Sequence, residues 1–177
     1  MPPTAPIFCD SAARLADALR ASLAPPLAVV GIGNALRGDD AFGPAVVAAL
    51  EPCPALRLFD VQAVPESFLV PIASCGASAV LFVDAADLGA APGRVAFVEA
   101  DRLAEVDVST HAISLSLVAE AIRGLARESR RAGSRDLSCA LLGAQPADLT
   151  IADRLSPAME SAVQLTADAL RAFACPP

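Results

Sequence analysis

Three short polar segments in this 177-residue chain hold side chains that could do chemistry. The first is Gly31-Ile-Gly-Asn-Ala-Leu-Arg-Gly-Asp-Asp40, which ends in two adjacent acids. The second is Phe82-Val-Asp84, where an acid closes an apolar run. The third is Ser109-Thr110-His111, which holds the single histidine of the chain. Two carboxylates and one imidazole suit a divalent transition metal with open coordination positions. A dication beside two carboxylates leaves no net charge, so such a site tolerates partial burial. His111 stands at the start of an expected helix, where the electropositive N-terminus favours the neutral, metal-binding imidazole. Each residue also has a plain structural reading. Asp39 and Asp40 sit where an acid caps a helix, although one cap leaves the second acid without that task. An Asp at a strand end often starts a turn. The separations, 44 residues from Asp40 to Asp84 and 27 more to His111, form no motif by themselves.

Composition narrows the alternatives. There is no Lys, so all thirteen cations are Arg. That excludes a Walker A phosphate loop, a kinase-type lysine and Schiff-base chemistry. One His excludes a two-histidine zinc motif. The formal charge of −7 leaves no basic face for nucleic acid, so no nucleic-acid partner is expected. Gly31-x-Gly33 after an apolar run invites a dinucleotide-binding reading, but the third glycine position is Leu36. The five cysteines (Cys9, Cys53, Cys75, Cys139 and Cys175) show no C-x-x-C spacing and read as free, mostly buried thiols. The Arg cluster from Arg123 to Arg135 reads as a solvated helix end, with partner docking as the alternative. Glu66 reads as a helix-start residue, with a place in the cleft as its alternative.

The elements that must position these residues follow from periodicity. Residues 10–23 are expected as a helix with Leu15, Leu19 and Leu23 on one face, stopped by Pro25-Pro26. Residues 27–33 form a continuous apolar run, expected as a strand buried on both faces. A polar turn at 34–40 leads into a helix carrying Phe42, Val46 and Leu50. Strands are expected at 56–61, at 79–83 (stopped by Asp84), at 94–98 as a sheet edge, and at 137–143. Helices are expected at 65–75, as one turn at 101–105, from about His111 through Leu115, Val118, Ile122 and Leu125, and from Ser156-Pro157 to Phe173. Strands alternating with helices predict an α/β fold of three layers, with a mainly parallel sheet covered by helices on both faces. Ligands in such folds bind beyond the C-terminal strand ends, which is where 34–40 and 84–88 fall.

The run Val30-Gly-Ile-Gly-Asn-x-Leu-x-Gly-Asp-Asp40-x-x-Gly43 resembles the opening signature of the hydrogenase maturation endopeptidases. The resemblance continues through Val64-Pro-Glu66, Leu81-Phe-Val-Asp-Ala-Ala-Asp-Leu-Gly89, Pro92-Gly93, Thr110-His111, Leu142-Gly-Ala-Gln-Pro146 and Leu155-Ser-Pro157. It is nearest to the branch serving formate hydrogenlyase-type complexes. It implies a five-stranded twisted sheet between helices. It also implies an endopeptidase that clips the C-terminal extension from the large-subunit precursor of a nickel–iron hydrogenase once nickel is inserted. The family's metal-contacting residues land on Asp40, Asp84 and His111. Two departures stand out. Ala41 replaces a glycine common in the family, which predicts a shifted loop. Asp60-Val-Gln-Ala stands where many members have Asp-Gly-Gly.

These readings combine into one expectation and its rivals. Residues 1–26 are expected as an N-terminal extension of one helix, and 27–177 as a single α/β peptidase domain. Asp40, Asp84 and His111 are the expected catalytic and metal-contacting residues. The nickel arrives with the substrate, and the isolated protein could hold another divalent metal. Asp39 is expected to hold the loop, or else to act as base. The partner is the large-subunit precursor, and a cytoplasmic monomer without a membrane span is expected. The rivals are a non-cleaving checkpoint for nickel loading, kept open by Ala41, and a nucleotide-binding α/β enzyme.

Overall fold

The computed structural model describes residues 6–99, 114–129 and 136–175. The central strand β2 (Leu27–Ile32) is fully buried along its length, as expected for an apolar run between two helical layers. Its parallel neighbours are β3 (Leu56–Gln62) and β4 (Ala79–Ala85). β4 pairs in parallel with β6 (Ser138–Ala144), and β6 pairs antiparallel with β5 (Val95–Glu99). A short strand β1 (Ile7–Cys9) then adds antiparallel to β5. The order is β1-β5-β6-β4-β2-β3.

Helices cover both faces. Helices α1 (Ala12–Ser22), α2 (Phe42–Ala48) and α5 (Pro157–Ala174) share one core with Val29, Leu81, Val83 and Leu142 of the sheet. Helices α3 (Leu69–Ser74) and α4 (Leu115–Ser129) share the other with Val30, Val80, Phe82 and Leu141. Neighbouring strand residues alternate between the two cores, as a pleat of period two requires. Leu15, Leu19 and Leu170 are completely buried where α1 meets α5. Each such side chain contributes about 1.5–3 kcal/mol by leaving water. Ser11 and Ser156 cap α1 and α5 by accepting from the N–H of Arg14 and Met159.

Five expectations need correction. The sheet has six strands, not five, because Ile7–Cys9 joins it; three residues carry too little pattern to be read as a strand. The segment expected as a single N-terminal helix therefore holds a strand as well. β5 is an interior strand between β1 and β6 rather than an edge. Asp84 does not stop β4, which runs on to Ala85 with Asp84 opposite Gly143. The helix expected from about His111 begins at Leu115, where the Ser114 carbonyl accepts from the Val118 N–H at 3.2 Å. The turn expected at 101–105 lies outside the described residues.

Candidate active site

The chain leaves β2 for β3 on one side, then crosses back to place β4 on the other. The C-terminal ends of β2 and β4 therefore border the crevice where strand order reverses, the usual ligand position in such sheets. Asp40 follows β2 and Asp84 lies one residue before the end of β4, so the topology brings both expected carboxylates to this edge of the sheet. They are 2% and 0% exposed. Burying two acids is costly without a cation, a proton or donors to face them.

Close backbone packing holds Asp40 there. After β2, residues 34–37 lead into a 3-10 turn, Gly38–Ala41, which packs against β4. Gly33 has φ +143°, and a Cβ there would lie 1.8 Å from the Asp40 carbonyl oxygen. At Gly43 a Cβ would fall 2.2 Å from the Ile32 carbonyl oxygen and 2.3 Å from that of Val83. Only glycine lets the first turn of α2 press onto β2 and β4 in this way. The Asn34 N–H donates to Asp40 Oδ2 at 3.0 Å. The other oxygen, Oδ1, is buried with no hydrogen-bond partner among the described residues.

The adjacent acid has a different task. Asp39 Oδ2 accepts from the N–H of Ala147 (2.7 Å), the N–H of Asp148 (3.0 Å) and the hydroxyl of Ser156 (2.9 Å). Its Oδ1 accepts from the Ser156 N–H at 2.7 Å. Four donors hold this carboxylate, three on Oδ2 and one on Oδ1. Asp39 thus ties the 3-10 turn to the 147–156 loop and the start of α5, rather than capping α2. Backbone bonds reinforce the seam: Gly38 N–H to Ala152 O at 3.0 Å and Asp39 N–H to Asp148 O at 3.0 Å. Asp148 is itself ordered by Thr150, whose N–H and hydroxyl hold the Asp148 carboxyl below its ordinary pKa. Ala41 has φ −73° and ψ 0°, ordinary backbone for alanine.

Ser156 and Gln145 are the site-building residues that sequence reasoning did not single out. Gln145 Oε1 accepts from the N–H of Leu88 (2.7 Å) and Ala90 (3.2 Å), pinning the loop that follows Asp84. Both lie in short matching segments already noted, Leu142-Gly-Ala-Gln-Pro146 and Leu155-Ser-Pro157, which was the available signal. Glu66 is exposed in a 3-10 turn, Pro65–Phe68. In the Arg cluster, Arg127 pairs with Asp136 at 3.1 Å and Arg123 donates to the Leu137 carbonyl. His111 lies outside the described residues. Among the described residues no cluster of three His, Cys, Asp or Glu could hold a metal ion.

The architecture is that of an α/β protein with two buried acids at the sheet edge where strand order reverses. Residues 45–171 match the family model HycI, hydrogenase maturation protease. The chain therefore belongs to the hydrogenase maturation protease family. Asp84 and His111 fall inside the matched span, and Asp40 lies five residues ahead of it. The hydrogenase 3 maturation protease of Escherichia coli K12 is 28% identical over 95 residues, covering 52% of this chain and 61% of that protein. The chain thus spans about three fifths of the length of the curated relatives it matches. The crystal structure of the nickel–iron hydrogenase maturation protease HycI from Thermococcus kodakarensis superposes with a TM-score of 0.70 at 27% identity, covering 89% of this chain and 99% of that one. The hydrogenase maturating endopeptidase HybD of E. coli shares the fold, with a TM-score of 0.64 at 19% identity over 81% of this chain and 88% of that one.

Proposed function

We propose that the protein is an endopeptidase that removes the C-terminal extension of a nickel–iron hydrogenase large-subunit precursor after nickel insertion. In this reading Asp40, Asp84 and His111 engage the nickel that the substrate carries. The observation that carries it is Asp40, a buried carboxylate whose Oδ2 is held by the Asn34 N–H while Oδ1 has no partner among the described residues. An oxygen in that condition favours an arriving cation. Asp84, on a strand paired on both sides, supplies a second acid on rigid backbone. His111 adds an imidazole. Held there, the substrate's nickel supplies Lewis acidity to peptide hydrolysis.

The remaining residues prepare the crevice. Asn34 orients Asp40, Asp39 fastens the turn that carries it, and Gln145 fastens the loop after Asp84. No acyl-enzyme is invoked, since no Ser or Cys stands in a nucleophile setting. The non-cleaving checkpoint for nickel loading is the alternative, and the cleavage test below separates the two.

The test is mass spectrometry of a precursor, nickel-loaded and nickel-free, incubated with the protein. Shortening of the nickel-loaded form alone is expected. Asp40→Asn, Asp84→Asn and His111→Ala should each slow it by about a hundredfold or more while the fold survives. An uncut nickel-loaded precursor would sink the activity. Cutting of the nickel-free form would sink the nickel reading, and undiminished cutting by the three variants the site.

A further inference from the structure

β3 is the open edge of the sheet nearest the crevice. The Leu27 N–H donates to the Ala55 carbonyl at 2.8 Å, which sets the phase of the ladder. Arg57 and Phe59 turn their backbone groups to β2, and Leu56, Leu58 and Asp60 turn theirs outward. The lower part of this edge is closed by the chain itself. The Leu56 N–H donates to the Cys53 carbonyl at 3.0 Å. The Arg57 guanidinium donates to the carbonyls of Cys53, Pro54 and Leu56 at 3.0, 3.1 and 3.3 Å. Leu58 and Asp60 remain, and no described strand pairs outside them.

The open stretch is short and ends at a register shift opposite Gly31 and Ile32. It holds no proline, and its one charge is folded back, with the Gln62 amide donating to both Asp60 oxygens at 2.8 and 2.7 Å. Both hydrophobic layers end here, Leu58 half-buried at the margin of one and Phe59 at the margin of the other. A groove of about 370 Å³ reaches Leu58 and Phe59 from the start of β3, where Pro52, Pro54 and Arg57 line it. The opposite edge differs: β1 has three residues, and the Arg94 guanidinium lies over its Phe8 ring at 5.4 Å. The open stretch also leads into the crevice. The Gln62 carbonyl accepts from the Gly33 N–H at 3.0 Å, one residue before the Asn34 that holds Asp40.

We infer that the β3 edge at Leu58 and Asp60 receives an extended segment of the polypeptide substrate, about four residues long, as a seventh strand that feeds the crevice. This rests on the endopeptidase reading, which supplies a polypeptide as occupant. Main-chain bonds to Leu58 and Asp60 hold the segment, and its side chains continue the two apolar layers beside Leu58 and Phe59.

The experiment follows cleavage of nickel-loaded precursor by the wild type, Leu58→Pro and Leu58→Ala. Proline deletes the outward N–H and takes nothing from the β2 ladder. Leu58→Pro is expected to raise KM about tenfold with kcat changed less than about twofold, and Leu58→Ala to raise KM less than about threefold. A brief deuterium pulse on the wild type at saturating precursor should show slowed exchange at the Leu58 and Asp60 amides, and it decides the matter if the proline variant fails to fold. Unchanged exchange at those amides overturns edge pairing, as does an unchanged KM in a folded Leu58→Pro. A dimer protecting the same amides without precursor overturns it too, assigning the edge to a second copy. Absence of cleavage by the wild type overturns the endopeptidase reading instead, so the two failures are distinct.

Discussion

The Asp39 carboxylate accepts both the backbone N–H and the hydroxyl of Ser156, at 2.7 and 2.9 Å, across 117 residues of sequence. One acid thus fastens the turn beside the crevice to the start of the last helix. Its neighbour Asp40 keeps one carboxylate oxygen without a hydrogen-bond partner among the described residues.

Asp39→Ala would take the acceptor from the N–H groups of Ala147, Asp148 and Ser156 and from the Ser156 hydroxyl. The expected cost is about 3 kcal/mol. For a chain of this size that lowers Tm by about 6–12 °C. Calorimetry checks it, and an unchanged Tm would remove Asp39 from its structural role.

Close approach, rather than glycine content in general, governs the crevice. Gly43→Ala would drive a methyl group into the carbonyls of Ile32 and Val83, at an expected cost of about 3 kcal/mol. Gly124 in α4 has nothing within 4 Å of the same position. Gly124→Ala should stabilise the helix by up to about 1 kcal/mol. Urea unfolding of the two variants should move the midpoint in opposite directions; parallel shifts would contradict the packing.

Ala41→Gly restores the residue common in the family at a position where alanine is already at ease. A loss of about 0.5–1 kcal/mol through the freer unfolded chain is expected, with the processing rate unaltered. A faster variant would show that the turn needs freedom that alanine denies.

Burial pushes the Cys9 and Cys139 thiols up, with nearby arginines opposing it only in part. Alkylation of the native protein near neutral pH should therefore modify exposed Cys175 and spare Cys9 and Cys139. The raised values also carry a sign. Their stabilisation is complete below the ordinary thiol range and is lost as pH rises through the folded values. Peptide mapping after labelling checks the order of reactivity, and early loss of Cys139 would contradict its burial.

Much of the fold was legible because its signals are local. Helix α5 shows its cap and apolar stripe in consecutive residues, and β2 is a continuous apolar run. Two features were not legible. β1 is three residues long and exists only because β5 offers it a partner. β5 has the weak alternation of an edge, yet it lies inside the sheet because the N-terminal segment folds back onto it. The site divides the same way: acids after two buried strands could be picked out from type and position, and His111 lies outside the described residues.

The sequence by itself determined where acids follow buried strands and which runs become helix or strand, since periodicity and turn chemistry act over a few residues. Only the tertiary structure decided that Asp39 is held by four donors while Asp40 keeps a buried oxygen without a hydrogen-bond partner among the described residues. The two acids are chemically identical neighbours, and what separates them is a set of donors 108 to 117 residues away.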